Sequence, residues 1–137
     1  MKAYQTKTAK LVGTDFREVH EKVLAFYRLI KKGTRRKPYV RSAYFKKDKV
    51  FLDLFWAHLF EKQNWRDRVR RMKFFPAAIE LIRKSKTEPI SKENPNRKSE
   101  ILHRFAGITS KQDIFYVQIK ENKQGGAKWL MSVYPDE

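Results

Sequence analysis

The hydrophobic period of this chain changes once, and that change limits the folds open to it. Up to about residue 86 the apolar residues recur at helical spacing, and from about residue 99 they alternate. A period near 3.6 specifies helices with one buried stripe, and a period of 2 specifies strands with one buried face. Between them, residues 87–98 (TEPISKENPNRK) hold two prolines, two asparagines and several charges, the composition of a loop. The expected fold class is therefore α+β, with N-terminal helices followed by a small antiparallel β-meander of three to four strands. A chain of 137 residues fits one domain, with a helical part over about 14–86 and a sheet part over about 87–135.

The first helix has clear ends. Asp15 suits an N-cap with Glu18 in capping-box position, Val19, Val23, Phe26 and Ile30 share a stripe, and Gly33 supplies a stop. After the basic connector Thr34–Pro38, residues 39–46 fit either an extended segment or a helix start. From about Asp48 the run VFLDLFWAHLFEK predicts a helix with a wide apolar surface: Leu52, Phe55, Trp56 and Leu59, flanked by Phe51, Leu54 and His58. Burial is the commoner fate of such a surface, and a protein interface is the alternative. Asn64 can cap a third helix with Trp65, Val69 and Met72 inward, and Pro76 can open a fourth.

Strands are expected over residues 99–106, 112–121 and 127–134, the last two joined by the hairpin turn Asn122 to Gly126. Phe115, Val117 and Ile119 fall on one face and Tyr116, Gln118 and Lys120 on the other. The alternation assigns Trp129, Met131 and Val133 to the core, and Lys128, Leu130, Ser132 and Tyr134 to the polar face. Either His103 or Arg104 joins that polar face, or a bulge near Gly107 brings both to its edge.

Charge narrows the function classes. The chain has 32 Lys and Arg against 15 Asp and Glu, a net charge of +17. Such a balance favours a polyanionic partner, with nucleic acid first. Arg35, Arg36, Lys37 and Arg41 form one cluster, and Arg66, Arg68, Arg70, Arg71 and Lys73 another; with Lys128 they are candidate nucleic-acid contacts. With no Cys there are no disulfides, zinc ribbons or thiol chemistry. No metal or cofactor is expected: the acids are scattered, HExxH spacing is missing, and no Gly-x-Ser-x-Gly elbow or Gly-rich phosphate loop occurs. No apolar run of about 18 residues suggests a membrane span, and residues 1–10 lack a signal-peptide core, so a cytoplasmic protein is expected.

Metal-independent RNA cleavage needs a base for the 2′-hydroxyl, cations for a pentacoordinate phosphate, and an acid for the leaving 5′-oxygen. His103 suits base or acid, Arg104 and Lys120 suit phosphate, and Thr109, Ser132 and Tyr134 suit the phosphate oxygens. The run 103–109 (HRFAGIT), then 115–120 (FYVQIK), then 130–135 (LMSVYP) resembles the barnase–EndoU–colicin–RelE-like nuclease superfamily, especially its phage- and mobile-element-associated branches. The resemblance covers roughly residues 80–135. It implies helices before a small antiparallel sheet of about four strands, the fourth from about residues 87–92 or the N-terminal arm. It also implies RNA-cleaving residues on the exposed sheet face, at His103, Arg104, Thr109, Lys120, Ser132 and Tyr134. The expectation is thus a toxin-like endoribonuclease acting on tRNA or ribosome-bound RNA, with an acidic antitoxin or immunity protein as partner. Two alternatives stand beside it: a basic RNA- or DNA-binding module without chemistry, and an interaction protein that docks through the VFLDLFWAHLF helix.

Overall fold

A computed structural model describes residues 2–62 and 64–136. In chain order the elements are β1 (Ala3–Gln5), α1 (Phe16–Lys32), β2 (Tyr39–Arg41), β3 (Lys49–Phe51), α2 (Asp53–Glu61), α3 (Trp65–Lys73), α4 (Phe75–Lys84), β4 (Ile90–Asn94), β5 (Arg97–Ile108), β6 (Ile114–Asn122) and β7 (Lys128–Pro135). No helix among the described residues is long and apolar enough to cross a membrane.

This overturns the expected order of an N-terminal helical unit followed by a small meander. The strands form one curled, mixed sheet of seven in the order β1-β5-β6-β7-β3-β2, and the helices lie in the middle of the chain. β1 pairs parallel with β5 at residues 106–108, while β4 pairs antiparallel with the earlier part of the same edge. At the other end β3 pairs parallel with β7, and β2 pairs antiparallel with β3. β1, β2 and β3 have three residues each, too few to show a period, so pairing and not pattern places them. The wide apolar run from Asp48 therefore opens as strand β3 and becomes helical only at Asp53.

One sheet face is covered. Nearly all of α4 is buried, including Phe75, Ile79, Leu81 and Ile82. Val19 and Val23 of α1, Phe55 and Leu59 of α2, and Val69 and Met72 of α3 join it against Phe105, Phe115, Val117, Ile119, Leu130 and Val133. Gly107 is required where β5 passes closest to α4. A Cβ there would lie 2.9 Å from Leu81 Cδ1 and nearer still to the Phe115 ring. Trp65, expected inward, is exposed instead, with the Arg66 guanidinium 5.2 Å from its ring.

The β6–β7 ladder contains a bulge that corrects the assigned faces. Gln118 pairs with Ser132 but Ile119 pairs with Leu130, so Met131 is the extra residue. Leu130 joins the core and Lys128 is buried on the same side, while Trp129 moves to the open face opposite Lys120. Only Val133 of the expected trio Trp129, Met131 and Val133 is buried.

Candidate nucleic-acid interface

The open face of β5–β7 is set by register. Ala106, Tyr116 and Tyr134 form one cross-strand row, Arg104, Gln118 and Ser132 the next, and Leu102, Lys120 and Trp129 a third. The first two rows meet α3. The Arg104 guanidinium lies 5.4 Å from the Tyr116 ring centre, the Tyr116 and Tyr134 rings are 5.4 Å apart, and the Arg71 guanidinium lies 5.6 Å from Tyr134. Two tyrosines thus sit between two guanidiniums contributed by β5 and α3, within reach for cation–π attraction.

The ladder is braced at both ends. Asp67 accepts from Arg71 Nε at 3.1 Å and from Arg70 at 3.0 Å, fixing both relative to α3. Burial of the Asp67 carboxyl works against its charged form, but the Arg70 and Arg71 bonds and charges outweigh it and hold its pKa below the ordinary value. The Tyr116 hydroxyl donates to Asp136 at 3.1 Å, which together with burial raises its pKa despite the opposing pull of Arg104. Arg104 is exposed and has no carboxylate partner within salt-bridge range among the described residues, so its charge is available to a ligand.

Two hollows continue this surface. One, of about 380 Å³, is lined by Asp67, Arg70, Arg71, Arg104, Tyr116 and Tyr134. The other, of about 300 Å³, places His58, Lys62, Arg71, Gln118, Ser132 and Tyr134 around an apolar floor that includes Met131 and Leu59. They share Arg71 and Tyr134 and so form a continuous run along the seam between α3 and β7. His58 enters this site because α2 packs along β7. Sequence reasoning missed it, since a histidine inside an apolar helical run reads as a margin of the buried stripe. A polar residue six positions before Asn64 and the basic α3 was the available signal.

His103 is on the opposite face. It pairs with Ile119 and Arg104 with Gln118, in unbroken register from Glu100 to Ile108, so no bulge near Gly107 brings the two together. Neighbouring residues of a regular strand point to opposite faces, and His103 and Arg104 therefore cannot hold one phosphate. The His103 imidazole is buried against Phe45, with ring centres 4.9 Å apart. Its Nε2 donates to Glu121 at 2.7 Å, because a carboxylate only accepts, and its Nδ1 lies 2.6 Å from the Ser91 hydroxyl. Lys128 extends the chain, 3.6 Å from Glu121, 2.9 Å from Asp48 and donating to the Gly126 carbonyl at 2.8 Å. Lys128 is thus a structural cation and not a surface contact for nucleic acid.

The remaining candidates divide. Thr109 is fully buried and closes the β5–β6 turn, accepting from the Asp113 backbone N–H at 3.1 Å. Lys120 is on the open face, but Glu100 holds it at 3.2 Å and it lies 4.8 Å from the Trp129 ring. Burial opposes the charge on Glu100, yet bonds from Asn94 and Lys120 and the nearby Arg97 keep its pKa low. Ser132 and Tyr134 do meet Arg71 and Arg104 at the site. Arg68 ties down the end of α2 by donating to the Lys62 and Phe60 carbonyls. Lys73 lines a third hollow with Lys10, which adjoins the first through Arg70, Pro135 and Asp136. Arg35, Arg36 and Lys37 are exposed on the connector before β2, Lys37 lying 3.9 Å from Asp53, and Arg41 is anchored on the Lys47 carbonyl.

Among the described residues no three His, Asp or Glu side chains converge as a metal site requires. The chain matches no protein-family model, no curated protein and no solved structure.

Proposed function

We propose that this protein binds single-stranded RNA in the cytoplasm, through the open face of β5–β7 and the adjoining edge of α3. The observation that supports this most is the ladder Arg104–Tyr116–Tyr134–Arg71, which sets two guanidiniums beside two aromatic rings. Guanidiniums take phosphate oxygens by paired hydrogen bonds, and aromatic rings offer faces and edges to unpaired bases. Gln118 and Ser132, in the adjacent row, supply groups for base edges or the 2′-hydroxyl.

Fluorescence anisotropy with matched RNA and DNA oligonucleotides tests the reading. Affinity should fall by about 0.7 log units per neutralised phosphate for each tenfold rise in salt. The Arg104→Ala, Tyr134→Ala double variant should lose about tenfold or more. Wild-type affinity in that variant would refute the placement.

A second reading is that bound RNA is also cut, without metal, and it draws on the hollow that brings His58 beside Lys62, Arg71, Ser132 and Tyr134. His58 would take the 2′-hydroxyl proton as the 2′-oxygen attacks phosphorus. The P–O5′ bond would break, with Tyr134 protonating the departing oxygen and Arg71 and Lys62 holding the phosphate. RNA cleavage in EDTA should then fall about 10²–10⁴-fold in His58→Ala and persist in a folded His103 variant. A metal requirement, or full activity in His58→Ala, rejects it.

A further inference from the structure

A second cationic site lies away from the RNA face, where the C-terminal ends of α1 and α4 meet the β2–β3 hairpin. A groove of about 970 Å³ there is rimmed by Arg41, Lys46, Lys47, Arg83 and Lys86, and no Asp or Glu is among the residues lining it. Its floor is aliphatic. Leu29, which is 67% exposed on α1, faces the groove together with Ile30 and Val40.

The rim is held in place at some conformational cost. Lys46 and Lys47 both have left-handed backbone, at φ 54° and 70°, a conformation that residues with a Cβ seldom adopt in succession. The loop is pinned there: Lys47 N–H donates to the Ser42 carbonyl at 2.7 Å, Ser42 N–H to Asp48 at 2.9 Å, and Arg41 to the Lys47 carbonyl at 3.0 Å. Strain kept by several bonds at one point is a reason to look for a ligand.

The chemistry selects among anions. Among the described residues that line the groove Tyr39 is the one aromatic side chain, so bases would find no adjacent pair of rings like Tyr116 and Tyr134 here. The carbonyl ends of two helices border the floor and carry partial negative charge, which disfavours phosphate at depth. An aliphatic floor with cations at its rim instead suits a segment whose Leu-like side chains point down and whose carboxylates point outward.

We propose that this groove docks an acidic amphipathic segment of a partner protein. The proposal is independent of the RNA reading, because the two surfaces share no residue.

The test uses the full chain, isotope-labelled for NMR, with a helical peptide of about 14 residues bearing Glu on one face and Leu on the other. Expected are shifts centred on Leu29, Val40 and Ala43, and at least about tenfold weaker binding in Arg83→Glu, Lys86→Glu. Both positions are exposed, and an unchanged melting temperature would show that the variant folds. A peptide with Ser in place of Leu should bind markedly more weakly. The proposal fails if the peptide does not bind, if the Ser peptide binds equally, if the shifts fall on Tyr116 and Tyr134, or if an RNA oligonucleotide displaces the peptide from the groove.

Discussion

The two faces of β5–β7 carry similar residues to opposite ends. On the covered side, His103, Glu121, Lys128 and Asp48 are closed into a chain of hydrogen bonds and ion pairs beside Phe45. On the open side, Arg104, Tyr116, Tyr134 and Arg71 stand in a ladder whose outer cation, Arg104, has no carboxylate within salt-bridge range among the described residues. A histidine or lysine is therefore not a functional group by type. It becomes one when its bonding capacity is left for a ligand, and the covered side has used that capacity internally.

Variants can break this contrast. Lys128→Ala should have the largest effect on stability, because it leaves Glu121 partly buried without its cation; a loss of about 3 kcal/mol is expected in urea unfolding. RNA affinity measured below the transition should not change, and a selective loss of affinity would return Lys128 to the binding surface. His103→Leu should cost about 2 kcal/mol, since Ser91 and Glu121 lose their partner. Arg104→Ala should do the reverse, weakening RNA binding by about 1–2 kcal/mol while shifting stability by less than about 0.5 kcal/mol.

A smaller effect should come from acid. Glu80 on α4 holds the N-terminal arm: it accepts from the backbone of Lys7 and Thr8 at 2.9 Å and from the hydroxyls of Thr8 and Tyr4. Burial works against its charge, but these bonds prevail and lower its pKa, as they do for Glu100. A carboxyl whose pKa is lower in the folded state binds fewer protons there than in the unfolded chain. Its stabilisation is full above the unfolded value of about 4.3 and is lost as pH falls through the folded value. Glu80→Gln should therefore flatten the decline in stability below about pH 4.3, at a cost near 1 kcal/mol at neutral pH. An unaltered acid limb would show that the arm is held by β1 pairing alone.

How much of this was legible depends on length and on regularity. α1 could be read because seventeen residues repeat its stripe and both ends carry signals: Asp15 accepts from the Glu18 N–H, and the Gly33 N–H bonds back to Ile30. The β6–β7 hairpin could be read from its alternation and its glycines. The bulge at Met131 could not, because one inserted residue reverses the faces before it without changing composition. The pairing of β1 and β3 is parallel and long-range, and local pattern says nothing of it. At the site, Ser132 and Tyr134 were legible because they follow the bulge in phase with Val133. His103 and Arg104 could share a site only through a bulge near Gly107, and the unbroken β5–β6 register sends His103 to the covered face instead.

The sheet also imposes an order on synthesis. Its centre, β5–β7, comes from the last third of the chain, while β1, β2 and β3 are made earlier and lie at its edges. A ribosome releasing this protein delivers the β2–β3 pair and all the helices before β5 and β7, the strands that β1 and β3 join in parallel, exist. Those early segments wait, with α4's apolar surface uncovered, until β5 emerges. The cation–aromatic ladder needs α3 and β7 together, so its last component in chain order is Tyr134. Any hold on RNA by that face therefore has to wait until Tyr134 has been made and β7 has paired.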